Sequence, residues 1–209
     1  MQVYKSASEY NKNQSVVTIG TFDGVHIGHK AILKRLVNTA KADGLESVLL
    51  TFFPHPRMVV QSVSDLRLIN TIDEKKELLE KEGLNSLVIH PFTKDFSRLT
   101  AKEYVRDILV KELAAKKIII GYDHRFGRNR TADINDLKAF GKKFGFKVEE
   151  ISAQELDEVA VSSTKIRRAL GKSDIATAND YLGYPYFLTG NVVKGRKIGR
   201  TINFPTANI

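Results

Sequence analysis

The 209-residue sequence contains no cysteine, which excludes a disulfide framework, a thiolate metal site and nucleophilic cysteine chemistry. No apolar run approaches the roughly 20 residues needed to cross a bilayer. The opening "MQVYKSASEYNKNQS" lacks the basic start and apolar stretch of a secretory leader, so a cytoplasmic protein with no membrane partner is expected. There is no internal repeat and no low-complexity segment. Basic residues exceed acidic ones by 33 to 24, a net charge of +9, yet no Lys/Arg-rich arm or aromatic-basic stripe carries the excess. Four of these charges (Lys194, Arg196, Lys197, Arg200) follow Tyr181 with no acidic residue among them, which leaves +5 on the first 180 residues. A basic balance suits nucleic acid, an acidic membrane surface or phosphorylated small molecules; without a stripe the last is favoured and nucleic acid is not expected as a partner.

What is present is a 42% hydrophobic chain, enough for a full α/β domain and something beyond it. Short β-branched runs alternate with helical patterns. Strands are expected at 15–20, 46–53, 85–92, 116–122 and 146–151, and helices at 29–44, 73–83, 100–113 and 133–145. Thr100 stands three before Glu103, the spacing of a capping box. Strands this continuous in apolar residues, with helices between them, predict a Rossmann-like doubly wound parallel sheet whose ligands sit beyond the strand carboxyl ends. After about residue 180 the composition turns glycine-rich, with a β-like "FLTGNVV", so a boundary is expected near 182/183. The remaining residues are too few for a core of their own.

The loops after the strands are where chemistry is expected. In "GTFDGVHIGHK" (20–30), Gly24 and Gly28 allow positive φ or close approach of a phosphate, and the following helix start offers free N–H groups. His26 and His29 are three apart, so if the turn is already helical both imidazoles project from one face toward the same anion, where they can stabilise developing negative charge. The glycine spacing does not fit G-x-G-x-x-G, and no third ligand is spaced to complete a metal site. "TFFPHP" (51–56) reads as a proline-stiffened, extended loop whose apolar walls suit a flat ring. In "GYDHRFGRNR" (121–130), Arg125, Arg128 and Arg130 are placed to meet phosphates. In "VSSTKIRRALGKSD" (161–174), Ser162 or Ser163 caps a helix that ends before Gly171. Ser163, Thr164 and Arg167 can there converge on one anion.

"GTFDGVHIGH" resembles the H-x-G-H signature of the nucleotidyltransferase superfamily, in the form found in the prokaryotic bifunctional riboflavin kinase/FMN adenylyltransferase, or FAD synthetase, family. "GYDHRFG" resembles that family's G-x-x-F-R-F-G, with Asp123 and His124 departing from the usual residues. "VSSTKIR" resembles I-S-S-T-x-I-R, the counterpart of the K-M-S-K-S loop, and "NFPTAN" resembles the G-F-P-T-A-N of the riboflavin kinase module. The resemblance covers nearly the whole chain. It implies AMP transfer from ATP to FMN, with Mg2+, over residues 1–182, and the start of a riboflavin kinase barrel, a C-terminal β fragment, over 183–209. His26, His29, Ser163 and Arg167 are then the expected catalytic residues. ATP is expected at Gly20, Phe22, Asp23, Gly24, His26, Gly28, His29, Ser162, Ser163, Thr164 and Arg167, and flavin at Phe53, Pro54, His55, Pro56, Asp123, Phe126 and Arg130. Thr206 and Asn208 would hold the kinase's magnesium ion. Kinase activity on riboflavin is not expected from these residues alone, which stop short of the barrel's catalytic carboxylate. Asp23 has either a backbone-organising or a metal-associated role, and a homo-oligomer remains open. Two rivals stand beside this reading: a nucleotidyltransferase acting on another phosphorylated acceptor, and a basic RNA-binding or regulatory module on the same fold.

Overall fold

In the computed structural model, which describes residues 1–11, 13–61, 66–152 and 161–208, a six-stranded, all-parallel sheet carries the chain. The strands are β1 (Gln2–Tyr4), β2 (Ser15–Ile19), β3 (Glu46–Phe53), β4 (Ser86–Pro91), β5 (Ala115–Gly121) and β6 (Lys147–Ile151), in the order β1-β4-β3-β2-β5-β6. Val17 of β2 lies between Val48 of β3 and Ile118 of β5. Every residue of β2 is buried, as a central strand covered on both faces requires.

Helices α1 (Ile27–Asp43) and α3 (Ile72–Lys81) cover one face, packing Leu33, Leu36, Ala40, Leu78 and Leu79 on Val16, Leu49, Leu87 and Ile119. The other face holds Val17, Val48, Leu50, Ile118 and Ile120 under α6 (Ile134–Phe144) and under α5 (Ala101–Glu103), which continues as π-helical turns over Tyr104–Glu112. Alternate residues of each strand thus serve opposite cores. The capping box at Thr100 is formed in both directions. Short helices α2 (Pro56–Val60) and α4 (Lys94–Ser97) follow β3 and β4. Helices α7 (Ser163–Gly171) and α8 (Ile175–Leu182) close a small cluster of Ile69, Ile166 and Leu182.

Beyond α8 the chain stays attached for a few residues. The Tyr184 hydroxyl donates to the Gly24 carbonyl at 2.6 Å and lies 3.3 Å from Asn70 Oδ1, while Thr189 donates through N–H and hydroxyl to Glu74 Oε1 at 2.8 and 2.7 Å. The expected "FLTGNVV" strand is not formed. Among the described residues only Val193 bridges, to Asn208, around a short helix α9 (Ile198–Thr201). A strand needs a neighbour for its N–H and C=O groups, and no second strand adjoins this segment in the described part of the chain. Leu188, Val192, Ile198, Ile202 and Phe204 are exposed.

Candidate functional site

The sheet order reverses between β2 and β5, since β2 leads through α1 to β3 on one side and β5 leads through α6 to β6 on the other. This is the switch point at which α/β sheets bind ligands. The loop leaving β2 there is strained: Phe22, Gly24 and Val25 have φ of 46°, 89° and 35°. Positive φ at Phe22 and at a β-branched valine costs about 1–3 kcal/mol each. At Gly24 a Cβ would also stand 2.9 Å from Ile69 Cδ1. His26 is the N-cap of α1, its Nδ1 accepting from the His29 N–H at 3.3 Å. The two imidazoles stack at 3.6 Å, and Phe22 stacks on His29 at 4.5 Å. Of the two uses expected of Gly28, positive φ or close approach, the first is not taken: Gly28 lies in the first turn of α1, beside the His26 ring.

Asp23, 1% exposed, ties this loop to two distant segments. Its Oδ1 accepts from the Ile69 N–H at 2.9 Å and its Oδ2 pairs with Arg167 Nη2 at 2.7 Å. Its carbonyl accepts from Ser163 Oγ at 2.8 Å, and Arg167 Nε donates to the Arg67 carbonyl at 3.0 Å. The expected convergence of Ser163, Thr164 and Arg167 on one free anion is therefore not what the structure holds. A buried carboxylate needs a cation and donors nearest to it, and Arg167 and Ser163 serve Asp23, while Thr164 is exposed. Ser162, the cap of α7, accepts from the Lys165 N–H.

Two cavities flank the β2 and β5 ends. One, of about 460 Å³, is lined by His26, Gly28, His29 and Ile32 on one side and by Val161, Ser162, Ser163 and Lys165 on the other, with Tyr122 and Asp123 between them. The second, of about 320 Å³, is mostly apolar. Its walls are Ile19, Gly20 and Thr21 after β2, Phe52, Pro56, Phe92, Phe96, Leu99 and Tyr104, and the turn Asp123–Gly127 with Arg130. Asp123 lines both.

The electrostatics keep every histidine here neutral at pH 7. Burial pushes His26 down to about 4 against the opposing pull of Asp23. Burial, then His26 and then Lys75 hold His29 well below its ordinary value. His124 is pushed down to about 4 by burial, with Arg130 adding and Asp123 opposing. The buried Nδ1 of His29 and Nε2 of His124 have no hydrogen-bond partner among the described residues. Stacked neutral imidazoles at a helix start offer N–H groups of the kind an anion can take. Among the described residues no group of three or more His, Asp or Glu side chains could hold a metal ion.

Several expected positions fall elsewhere. Gly20 lines the apolar cavity rather than the polar one. In "TFFPHP" the loop is not extended throughout: α2 begins at Pro56, and His55 caps it by accepting from the Arg57 N–H at 3.1 Å. Phe53 is 48% exposed and Pro54 is also exposed; Phe52, one residue earlier, supplies the wall with Pro56. Of the expected flavin residues, Pro56, Asp123, Phe126 and Arg130 line the apolar cavity, as do Arg125 and His124. Arg128 is exposed, its N–H donating to the Leu99 carbonyl at 2.8 Å. Sequence reasoning missed Phe52, Phe92, Phe96, Tyr104, Lys165 and the buried Lys75. In the tail, Thr206 and Asn208 line one small cleft with Lys194 and Arg200.

Residues 8–165 match the family model described as FAD synthetase, and residues 182–209 match the one described as riboflavin kinase. Curated relatives named bifunctional riboflavin kinase/FMN adenylyltransferase include those of Buchnera aphidicola subsp. Schizaphis graminum (37% identical over 94% of this chain and 64% of that protein) and Listeria monocytogenes (35%, 98% and 65%). The chain thus spans just under two thirds of the length of these proteins. A crystal structure described as a macrolide-efflux protein from Streptococcus pneumoniae superposes with a TM-score of 0.81 at 29% identity, covering 99% of this chain and 67% of that one. Pantothenate synthetase from Thermus thermophilus, at 16% identity and a TM-score of 0.50 over 88% of this chain and 81% of its own, shares the fold.

Proposed function

As the chain belongs to the FAD synthetase family, we propose that it transfers AMP from ATP to FMN, giving FAD and pyrophosphate. A phosphate oxygen of FMN attacks the α-phosphorus of ATP, forming a new P–O bond as the bond to the β-phosphate oxygen breaks. The attacking oxygen is already anionic at neutral pH, so no protein nucleophile is needed and the chain's task is alignment and charge stabilisation. The observation that carries the reading is the stacked pair His26–His29 facing a polar cavity that shares Asp123 with an apolar one.

In this reading the two imidazoles donate to phosphate oxygens as charge moves onto the leaving group, and Ser162 and Lys165 meet the pyrophosphate from the facing wall, while Ser163 holds the Asp23 carbonyl. Phe22, Gly24, Gly28 and Asp23 shape the turn, and Arg167 acts through Asp23. The flavin ring lies among Phe52, Pro56, Phe92, Phe96, Tyr104 and Phe126, with Arg130 at its edge. Magnesium would supply neutralisation of phosphate charge and would enter with ATP, since both Asp23 oxygens are engaged and the ion prefers phosphate and water oxygens. Residues 183–209 form the first part of a riboflavin kinase module in which Thr206 and Asn208 offer oxygens of the kind a hard cation takes. The longer protein would phosphorylate riboflavin to the FMN used here, in the cytoplasm.

The test is chromatography of the chain with FMN, ATP and magnesium. FAD should form, and His29→Ala should lower the rate by about 10²–10³-fold or more while FMN still binds. Pyrophosphate release with another phosphorylated acceptor but not with FMN would remove the flavin assignment. FMN made from riboflavin would show that residues 183–209 suffice for the kinase.

A further inference from the structure

Lys75 lies on the core-facing side of α3 with Leu78 and Leu79 and is only 4% exposed. Its ammonium donates to the Thr21 carbonyl at 2.8 Å. Among the described residues it makes no ion pair within 4 Å, and the two nearby carboxylates are otherwise engaged. Asp23 is held by Arg167 and the Ile69 N–H; Glu74 is held by the Thr71 N–H and by Thr189. Burial pushes the Lys75 ammonium down and the charge of Asp23, beyond ion-pair distance, only opposes that; a buried charge with no carboxylate oxygen in contact is costly, and a methionine would fill the same space without that cost. Thr21 separates Gly20, on the apolar cavity, from Phe22, which stacks on His29.

We propose that Lys75 is a positioning residue for the transfer reaction: it fixes the turn at Thr21, and with it the Phe22–His29 stack, and keeps a buried positive charge close to His29. This inference rests on the adenylyl-transfer reading. The charge reaches both His29 and His55, depressing the protonation of each. It favours a His29 imidazole that stays neutral and an anion bound in front of it, where negative charge grows in the transition state. The other charged or titratable groups facing these rings are His26 and Asp23 from the loop, Arg57 at the start of α2 and Arg167 from α7.

The test compares the unsubstituted chain with Lys75→Met, Lys75→Gln and Lys75→Arg, following the His29 imidazole by NMR titration and kcat/KM for ATP against pH. Removing the charge in Lys75→Met should move the His29 titration and the acid limb of the rate profile to higher pH. It should also lower kcat/KM for ATP about 10–100-fold, the worth of one charge-assisted bond, with FMN binding intact. Lys75→Gln can still donate to Thr21 and should show the same titration change, which separates charge from hydrogen bond and replaces Lys75→Met if that variant does not fold. Lys75→Arg should keep the titration of the parent. A His29 titration unchanged in folded Lys75→Gln or Lys75→Met, with FAD formed by the parent, overturns the inference. No FAD from the parent would sink the reaction instead, while the titration still decides whether the charge acts on His29.

Discussion

Replacing Arg167 with methionine removes the cation from a carboxylate that is 1% exposed. Asp23 Oδ2 then loses its 2.7 Å partner and keeps only the Ile69 N–H on Oδ1. Breaking a buried pair from one side costs about 3–5 kcal/mol. The Arg167 side chain is 21% exposed, so water can reach the vacated side and the lower figure, about 3 kcal/mol, is the one to expect. For a domain of this size a loss of 1 kcal/mol lowers Tm by about 2–4 °C, which places Arg167→Met about 6–12 °C below the parent in a thermal melt. The same variant releases the Arg67 carbonyl and should weaken ATP binding more than FMN binding, because the loop and α7 bear on the polar cavity. Asp23→Asn in the same chain removes the stranded charge, so the double variant should melt no lower than the worse single one. A melt within 2 °C of the parent for Arg167→Met, or strictly additive losses in the double variant, would refute the claim that this pair holds the loop.

Stability should fall on acidification. The folded-state pKa of His26, about 4, lies below the unfolded value of about 6.5, so the unfolded chain binds the extra proton first. The contribution is intact above about pH 7 and is lost as pH falls through 6.5 toward 4; for His26 alone the loss at pH 5 is on the order of 2 kcal/mol. A urea midpoint that does not drop between pH 7.5 and 5 would contradict this sign. Gly127→Ala should cost at least about 1–3 kcal/mol, because φ is +72° and the added Cβ would stand 2.9 Å from the Ala101 backbone. It should also raise KM for FMN, since Gly127 lines the apolar cavity; equal melting and equal KM would count against that wall.

The alternation of strand and helix, and so the doubly wound sheet, was legible because each central strand is a continuous apolar run and each long helix carries its own caps. Short elements were not: β1 is three residues long and is defined by its pairing with β4, a contact no local pattern encodes. The histidine loop was legible as residues, but Asp23's partners at positions 69, 163 and 167 are tertiary. Strand parity could have found Phe52, which shares the face of Val48 and Leu50, where Phe53 does not. Lys75 could have been found as the one cation at helical spacing from Leu78 and Leu79. Phe92, Phe96 and Tyr104 converge on the apolar cavity only through packing.

The short bridge after α8 bears on where this polypeptide can be divided. Cutting at Leu182, where the composition changes, would strip the Gly24 carbonyl and the Asn70 and Glu74 side chains of donors supplied by Tyr184 and Thr189. The Gly24 carbonyl belongs to the turn beneath His26. The hydrogen bonds of the first 182 residues therefore reach on to Thr189, and exchanging the segment that follows between relatives would need the join placed past it, with the seven residues Gly183–Thr189 left to the first partner.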